Sequence, residues 1–162
     1  VGNALLGDDF TLTRVDSRSN VHNQVREFEA SEQGILLGAR NLWQGVDIPG
    51  AACQGLVIEK YPFAFRSALV DLRETAAVQA GGGSGFEEYY LPQMLIDFRQ
   101  MVGRLIRTHH DRGVVVIVDS GYHKPYFHRV QQALPRGAQW HLVSADELRS
   151  ALADIAPRIL SP

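Results

Sequence analysis

The segment Gln100-Met101-Val102-Gly103-Arg104-Leu105-Ile106-Arg107 closes an apolar, periodic run that begins near Tyr89, and the periodicity predicts a helix. At about 100° per residue, Gln100, Arg104 and Arg107 fall on one stripe. Met101, Val102, Leu105 and Ile106 fall on the other side. One amide and two guanidiniums therefore leave the helix away from its packing face. Gly103 lies beside that stripe, where a side chain would obstruct close approach of a partner. Two aligned guanidiniums suit phosphate oxygens, because each is always charged and donates in a planar fork. From spacing alone, a surface helix with two solvated arginines is the commoner meaning of such a pattern.

Working outward, a second stretch changes that weighting. Residues 34–50 read GILLGARNLWQGVDIPG. After 100–107 come Asp111-Arg112-Gly113 and the apolar run Val114 to Asp119. Taken in order, these resemble motifs V and VI of superfamily 2 helicases, most closely the DinG/XPD-like group of DNA helicases. In that group a strand leads into an aromatic-acidic-Gly-Val-Asp-x-Pro-Gly turn, here Trp43 to Gly50. A later helix carries Gln-x-x-Gly-Arg-x-x-Arg, here Gln100 to Arg107. The similarity runs from about Gly34 to Pro135. Either motif alone is weak, and the ordered pair is specific.

Composition sets the frame for that resemblance. At 162 residues the chain is long enough to bury a core as one domain. Hydrophobic content of 45% and charged content of 21% are those of a globular protein. No apolar run reaches the length of a membrane span and the start lacks a signal-peptide pattern, so a cytoplasmic location without membrane contact is expected. A single cysteine, Cys53, excludes an internal disulfide and a cysteine-built metal site, and no metal ligand set is expected. The resembling group often carries an iron–sulfur cluster on its other motor domain, not in this part of the chain. Net charge is −2, so no global basic field points to nucleic acid. The opening without methionine is expected of a fragment of a longer chain.

Along the chain, Phe10 to Val15 reads as a strand, Val21 to Ala30 as a helix with Val21, Val25 and Phe28 inward, and Gly34 to Ala39 as a buried strand. Arg40 to Gly50 is a loop. Gly55 to Glu59 is a strand, Tyr61 to Phe65 an aromatic turn, and Arg66 to Ala80 a helix. Gly81 to Gly85 reads as a flexible break. Phe86 to Arg107 is mostly helical, with the main helix starting near Leu91 because Pro92 suits a first turn. Val114 to Asp119 is the most apolar strand and is expected at the centre. Lys124 to Leu134 is a helix with Phe127 and Val130 inward. Gln139 to Val143 is a last strand, and Ser144 with Glu147 forms a capping box for a helix running to about Pro157. Strand–helix alternation with apolar strands predicts an α/β fold with a mostly parallel central sheet. The resemblance implies a RecA-like three-layer sandwich, P-loop NTPase-like but lacking its own phosphate loop.

By resemblance, Arg104 and Arg107 are arginine fingers that reach across a cleft to the phosphates of a nucleotide on another motor domain. Charge aimed at phosphoryl oxygens is worth roughly 10³–10⁵ in rate in GTPases. Gln100 sits at the same interface, orienting water or phosphate, or is a helix-surface amide. Gly45 and Asp47, in the motif V loop, would link nucleotide and nucleic acid, and Gly103 would allow close approach. Asp47 is otherwise a turn-forming aspartate. Gln44 stands where the group usually has glutamate, which removes a carboxylate. Trp43 is a stacking surface or a packed side chain. Asp119, followed by Ser120-Gly121-Tyr122 rather than basic residues, reads as structural. Lys60, Arg66, Lys124 and Arg129 are candidate backbone contacts to a single strand, each more commonly a solvated charge. His109-His110-Asp111 does not build a metal site, since adjacent histidines diverge on a helix.

No Gly-x-x-x-x-Gly-Lys-Ser/Thr loop and no Asp-Glu-x-His box occurs, and Gly81 to Gly85 lacks the lysine of a phosphate loop. The resemblance implies that ATP and Mg2+ sit mainly on a first RecA-like domain of the same polypeptide and that single-stranded DNA is the partner, travelled 5′ to 3′. These 162 residues alone are then expected to have little or no ATPase activity. The alternatives are a helicase-like binding module without catalysis and a flavodoxin-like nucleotide-binding domain, which accounts for neither motif.

Overall fold

The computed structural model describes residues 11–15, 20–39, 48, 53–106 and 110–160. The chain divides into two compact units, Val1–Cys53 and Gln54–Pro162, each taken by itself below.

In the first unit, strand β1 (Thr11–Val15) pairs in parallel with β2 (Gly34–Gly38), with Thr13 opposite Leu36. Helix α1 (Val21–Ala30) connects them, giving a β-α-β crossover. Asn20 starts α1 by accepting the His22 N–H at 3.2 Å, the usual device for an orphan donor in a first turn. Of the three side chains expected inward, Val25 is buried and Val21 and Phe28 are half-buried. Val15 and Thr13 complete the small core.

The second unit holds most of the buried apolar surface. Strand β3 (Gly55–Ile58) pairs in parallel with β4 (Val114–Ile117), Ile58 facing Ile117, and the Val118 N–H extends the ladder to Ile58 O at 2.8 Å. Between them run α2 (Ala68–Gly81), a π-helical turn (Phe86–Tyr90) and α3 (Leu91–Leu105). Ser67 caps α2, accepting the Val70 N–H at 3.3 Å, so the helix starts two residues later than its polarity alone predicts. After β4 come a 3-10 turn (Ser120–His123), α4 (Phe127–Ala133) and α5 (Leu148–Leu160). Phe98, Ile58, Leu91, Met94 and Val130 are the largest fully buried side chains. The core therefore lies where α3 meets β3 and α4. Phe127 is half-buried and stacks edge-on against Trp140.

Sequence and structure part at several places, each with a local cause. Pro92 has no N–H, so the helical register cannot close normally across Glu88. The Leu91 N–H reaches back to Phe86 O instead, producing the π turn ahead of α3. The Gly81 to Gly85 segment, read as a flexible break, has a defined turn here. Gly82 ends α2 at φ 71°, a left-handed conformation that favours glycine, and its N–H bonds Val78 O. The strand expected at Gln139 to Val143 does not form. No described strand offers it a ladder, and Leu142 is 74% exposed. The Ser144–Glu147 capping box forms, with Ser144 N and Oγ both donating to Glu147 Oε2. The helix behind it continues past Pro157 to Leu160, because a proline this close to the end forfeits few helical bonds. Among the described residues the strands form two parallel pairs, and β4 pairs with β3 alone.

Candidate functional site

Helix α3 positions the residues singled out by the sequence. Its buried stripe is Leu91, Met94, Phe98, Met101, Val102 and Leu105, spaced by three, four and seven as a core-facing helix requires. Burial of Met101, Val102 and Leu105 fixes the helix rotation. Gln100 and Gly103 are then exposed, and Arg104 is half-buried in the last turn. No described atom comes within 4 Å of a Cβ built on Gly103. The helix stops at Leu105. Ile106 is already extended at φ −114° and ψ 98°, with its N–H returning to Val102 O. The stripe expected to reach residue 107 is therefore carried within α3 by Gln100 and Arg104. Arg107, Gly45 and Asp47 lie outside the described residues, as do Gln44, Trp43 and His109.

A second cluster lies at the carboxyl ends of β3 and β4, the side of a parallel sheet on which α/β proteins place ligands. Asp119, just beyond β4, accepts the Tyr61 N–H at 3.0 Å through Oδ2 and the Gly121 N–H at 2.7 Å through Oδ1. Both oxygens are committed to backbone, so Asp119 ties together the two loops that leave these strands. The structural role read from the sequence is the one seen. Burial, then the nearby Asp119 carboxylate, then Tyr126, push the Tyr61 phenol up to about 12. Burial and the same carboxylate raise Tyr126. Around this clamp Tyr61, Phe63, Phe86, Phe98 and Tyr126 stack edge-on or tilted, with ring centroids 5.6–6.4 Å apart. The aromatic turn at 61–65 was legible in sequence. Its partners, spread over residues 86, 98 and 126, were not, because no local pattern links them.

The basic residues proposed as strand contacts separate into two kinds. Arg66 pairs with Asp71 at 3.0 Å and Glu74 at 3.2 Å and lies 5.7 Å from the centre of the Tyr90 ring. Arg129 pairs with Glu87 at 2.7 Å. These two are engaged in surface ion pairs, which contribute little to stability. Arg99 donates to Ala133 O at 3.2 Å, fastening α3 to the end of α4. Lys60 and Lys124 are exposed. No group of His, Cys, Asp and Glu among the described residues could hold a metal ion, and no helix among them is long and apolar enough to cross a membrane.

The sequence matches the family profile of the helicase C-terminal domain over residues 3–139. The ATP-dependent helicase DinG of Mycobacterium tuberculosis is 32% identical over 151 residues, covering 93% of this chain and 21% of that protein. The 3'-5' exonuclease DinG of Bacillus subtilis is 33% identical over 95 residues, covering 59% of this chain and 10% of that protein. The ATP-dependent DNA helicase YoaA of Escherichia coli is 33% identical over 96 residues, covering 59% and 15%. The chain thus spans between 10% and 21% of the length of these relatives. A profile match over most of the chain places it in the helicase C-terminal domain family, as a DinG-like member.

Proposed function

We propose that this chain is the second motor half of an ATP-dependent DNA helicase. It folds as one RecA-like domain in a three-layer arrangement, with ATP and Mg2+ held mainly by a first RecA-like domain of the same polypeptide. Arg104 and Arg107 act as arginine fingers on the phosphates, and Gln100 orients water or phosphate beside them. Gly103 lets the opposing domain approach, and Gly45 and Asp47 couple the nucleotide to single-stranded DNA. Closure and opening of the cleft move the strand, with contacts mainly to phosphates. The isolated chain hydrolyses little or no ATP, because it has no phosphate loop. The working compartment is the cytoplasm, and any iron–sulfur cluster belongs to another part of the protein.

The observation that carries this reading is the exposed face of α3. A glycine near the end of the helix, with no described atom within 4 Å of a Cβ built on it, lies next to an arginine on a helix whose opposite stripe is packed. A helix serving only the core gains nothing from glycine there. The test is DNA-stimulated ATP hydrolysis by the full-length protein, wild type beside Arg104→Ala and Arg107→Ala. Loss of most turnover with nucleotide binding retained supports the fingers. An inactive wild type, or variants that match it, favours the non-catalytic binding module instead.

A further inference from the structure

Helix α4 is short and ends at Ala133, where Leu134 turns extended at ψ 160° and Pro135 brings no N–H. The carbonyls of such a last turn have no helical N–H to accept, and the dipole there is negative. The Ala133 carbonyl takes its hydrogen bond from another helix. Arg99 of α3 donates to it through Nε at 3.2 Å, and Ala133 itself is buried. A cation that directs an N–H at a helix C-terminus makes a charge-assisted contact, stronger than a neutral one. Phe98, beside Arg99, and Val130 of α4 are fully buried. The Arg129–Glu87 pair also joins α4 to the turn ahead of α3, but it lies at the surface and far from Arg104 in sequence.

Apolar packing and directed bonds fix different things. The buried stripe of α3 sets which way the helix faces, but apolar contact is non-directional and tolerates a slide along the axis. The bond from Arg99 has a preferred length and angle, so it sets where the helix stands against α4. Arg99 directly precedes Gln100, and Arg104 follows in the last turn, before the helix stops at Leu105. A slide by one residue moves a helical side chain about 1.5 Å. A misplacement of about 1 Å in a site costs on the order of 10²-fold in rate. We propose that Arg99 is a positioning residue for Arg104, holding the end of α3 at one axial position through the last carbonyl of α4. The inference rests on the helicase reading above and adds to it what sets the placement of the arginine.

The experiment is a double-mutant cycle on DNA-stimulated ATP hydrolysis by the full-length protein. It compares wild type, Arg99→Met, Arg104→Ala and the pair, each also followed by thermal unfolding. Methionine keeps an apolar stem and removes the donor. Arg99→Met should lower kcat about tenfold and leave KM for ATP within about twofold. Added to Arg104→Ala, it should lower kcat by less than about twofold, because the group it places is gone. Arg99→Lys, which keeps a charged donor at the helix end, should recover most of the turnover. If Arg99→Met melts below the assay temperature, Arg99→Gln repeats the cycle and is read in the same way. A wild-type kcat in Arg99→Met beside an impaired Arg104→Ala overturns the inference and leaves the helicase reading standing. So does a loss of equal size with and without Arg104, which marks a purely structural role. If Arg104→Ala matches wild type, or the wild type hydrolyses no ATP, the helicase reading falls and this inference with it.

Discussion

Replacing Gly103 by alanine separates what the fold needs from what a partner needs. Gly103 lies in the last two turns of α3, and a Cβ there meets no described atom within 4 Å. Alanine adds no clash and removes the entropic cost of holding glycine helical, about 0.5–1 kcal/mol. For a chain of this size that raises the melting temperature by about 1–4 °C. The assay is thermal unfolding of the chain followed by far-UV circular dichroism, beside Gly103→Leu. Both variants should melt at or above wild type, since leucine is also a better helix former than glycine. In the full-length protein, Gly103→Leu should lose most DNA-stimulated ATP hydrolysis if, as proposed, the opposing domain approaches α3 at this position. A melting temperature that falls in Gly103→Ala would refute the open-space argument. Full ATPase activity in Gly103→Leu would refute the reservation of that space for a partner.

The other expectations concern the braced loops and the helix end. Asp119→Asn leaves either the Tyr61 or the Gly121 N–H facing an amide NH₂, and should cost about 1–3 kcal/mol by urea unfolding. Tyr61 has its pKa raised to about 12 in the fold against 10 when unfolded. The unfolded phenol ionises first, so this contribution is complete below pH 10 and disappears as pH rises to 12. A pH series of unfolding midpoints should show the loss over that window, and Tyr61→Phe should reduce it. In the full-length protein, Arg104→Lys should lose at least about 10²-fold in turnover, read as kcat with nucleotide affinity measured separately, since the charge is kept and the planar fork is not.

Much of the fold was legible because periodicity and capping act locally. The α1 boundaries follow from Asn20 and the Val25 stripe, and the start of α3 from Pro92. The apolar run at 114–117 has no alternation and forms a parallel strand, with all four residues half-buried. The same locality explains the misses. Gln139 to Val143 has strand-like composition, yet a strand exists only where another offers a ladder, and no sequence window reveals that. The rotation of α3 was readable from its apolar stripe, so the exposure of Gln100 and Gly103 was readable too. Its end was not. Leu105-Ile106-Arg107 continues the apolar period, yet Ile106 is already extended at φ −114° and ψ 98°. The aromatic clamp was hidden for a different reason, since it joins residues separated by up to 65 positions through contacts made only on folding.

The position of Arg104 at the end of α3 bears on why an arginine is suited to the proposed task. Anion sites commonly use helix N-termini, where free N–H groups and the positive end of the dipole do the work. Arg104 lies in the last turn, where carbonyls point outward and the dipole is negative. Phosphate gains nothing from this helix end, so attraction must come from the side chain. A guanidinium, conversely, is favoured at a helix C-terminus, and Arg104 is half-buried there. Under the proposed function, such a side chain would meet phosphate through its own charge and planar fork. In that proposal the phosphate comes from the opposing domain. That is the physical requirement for a residue that completes a site when a cleft closes and releases it when the cleft opens.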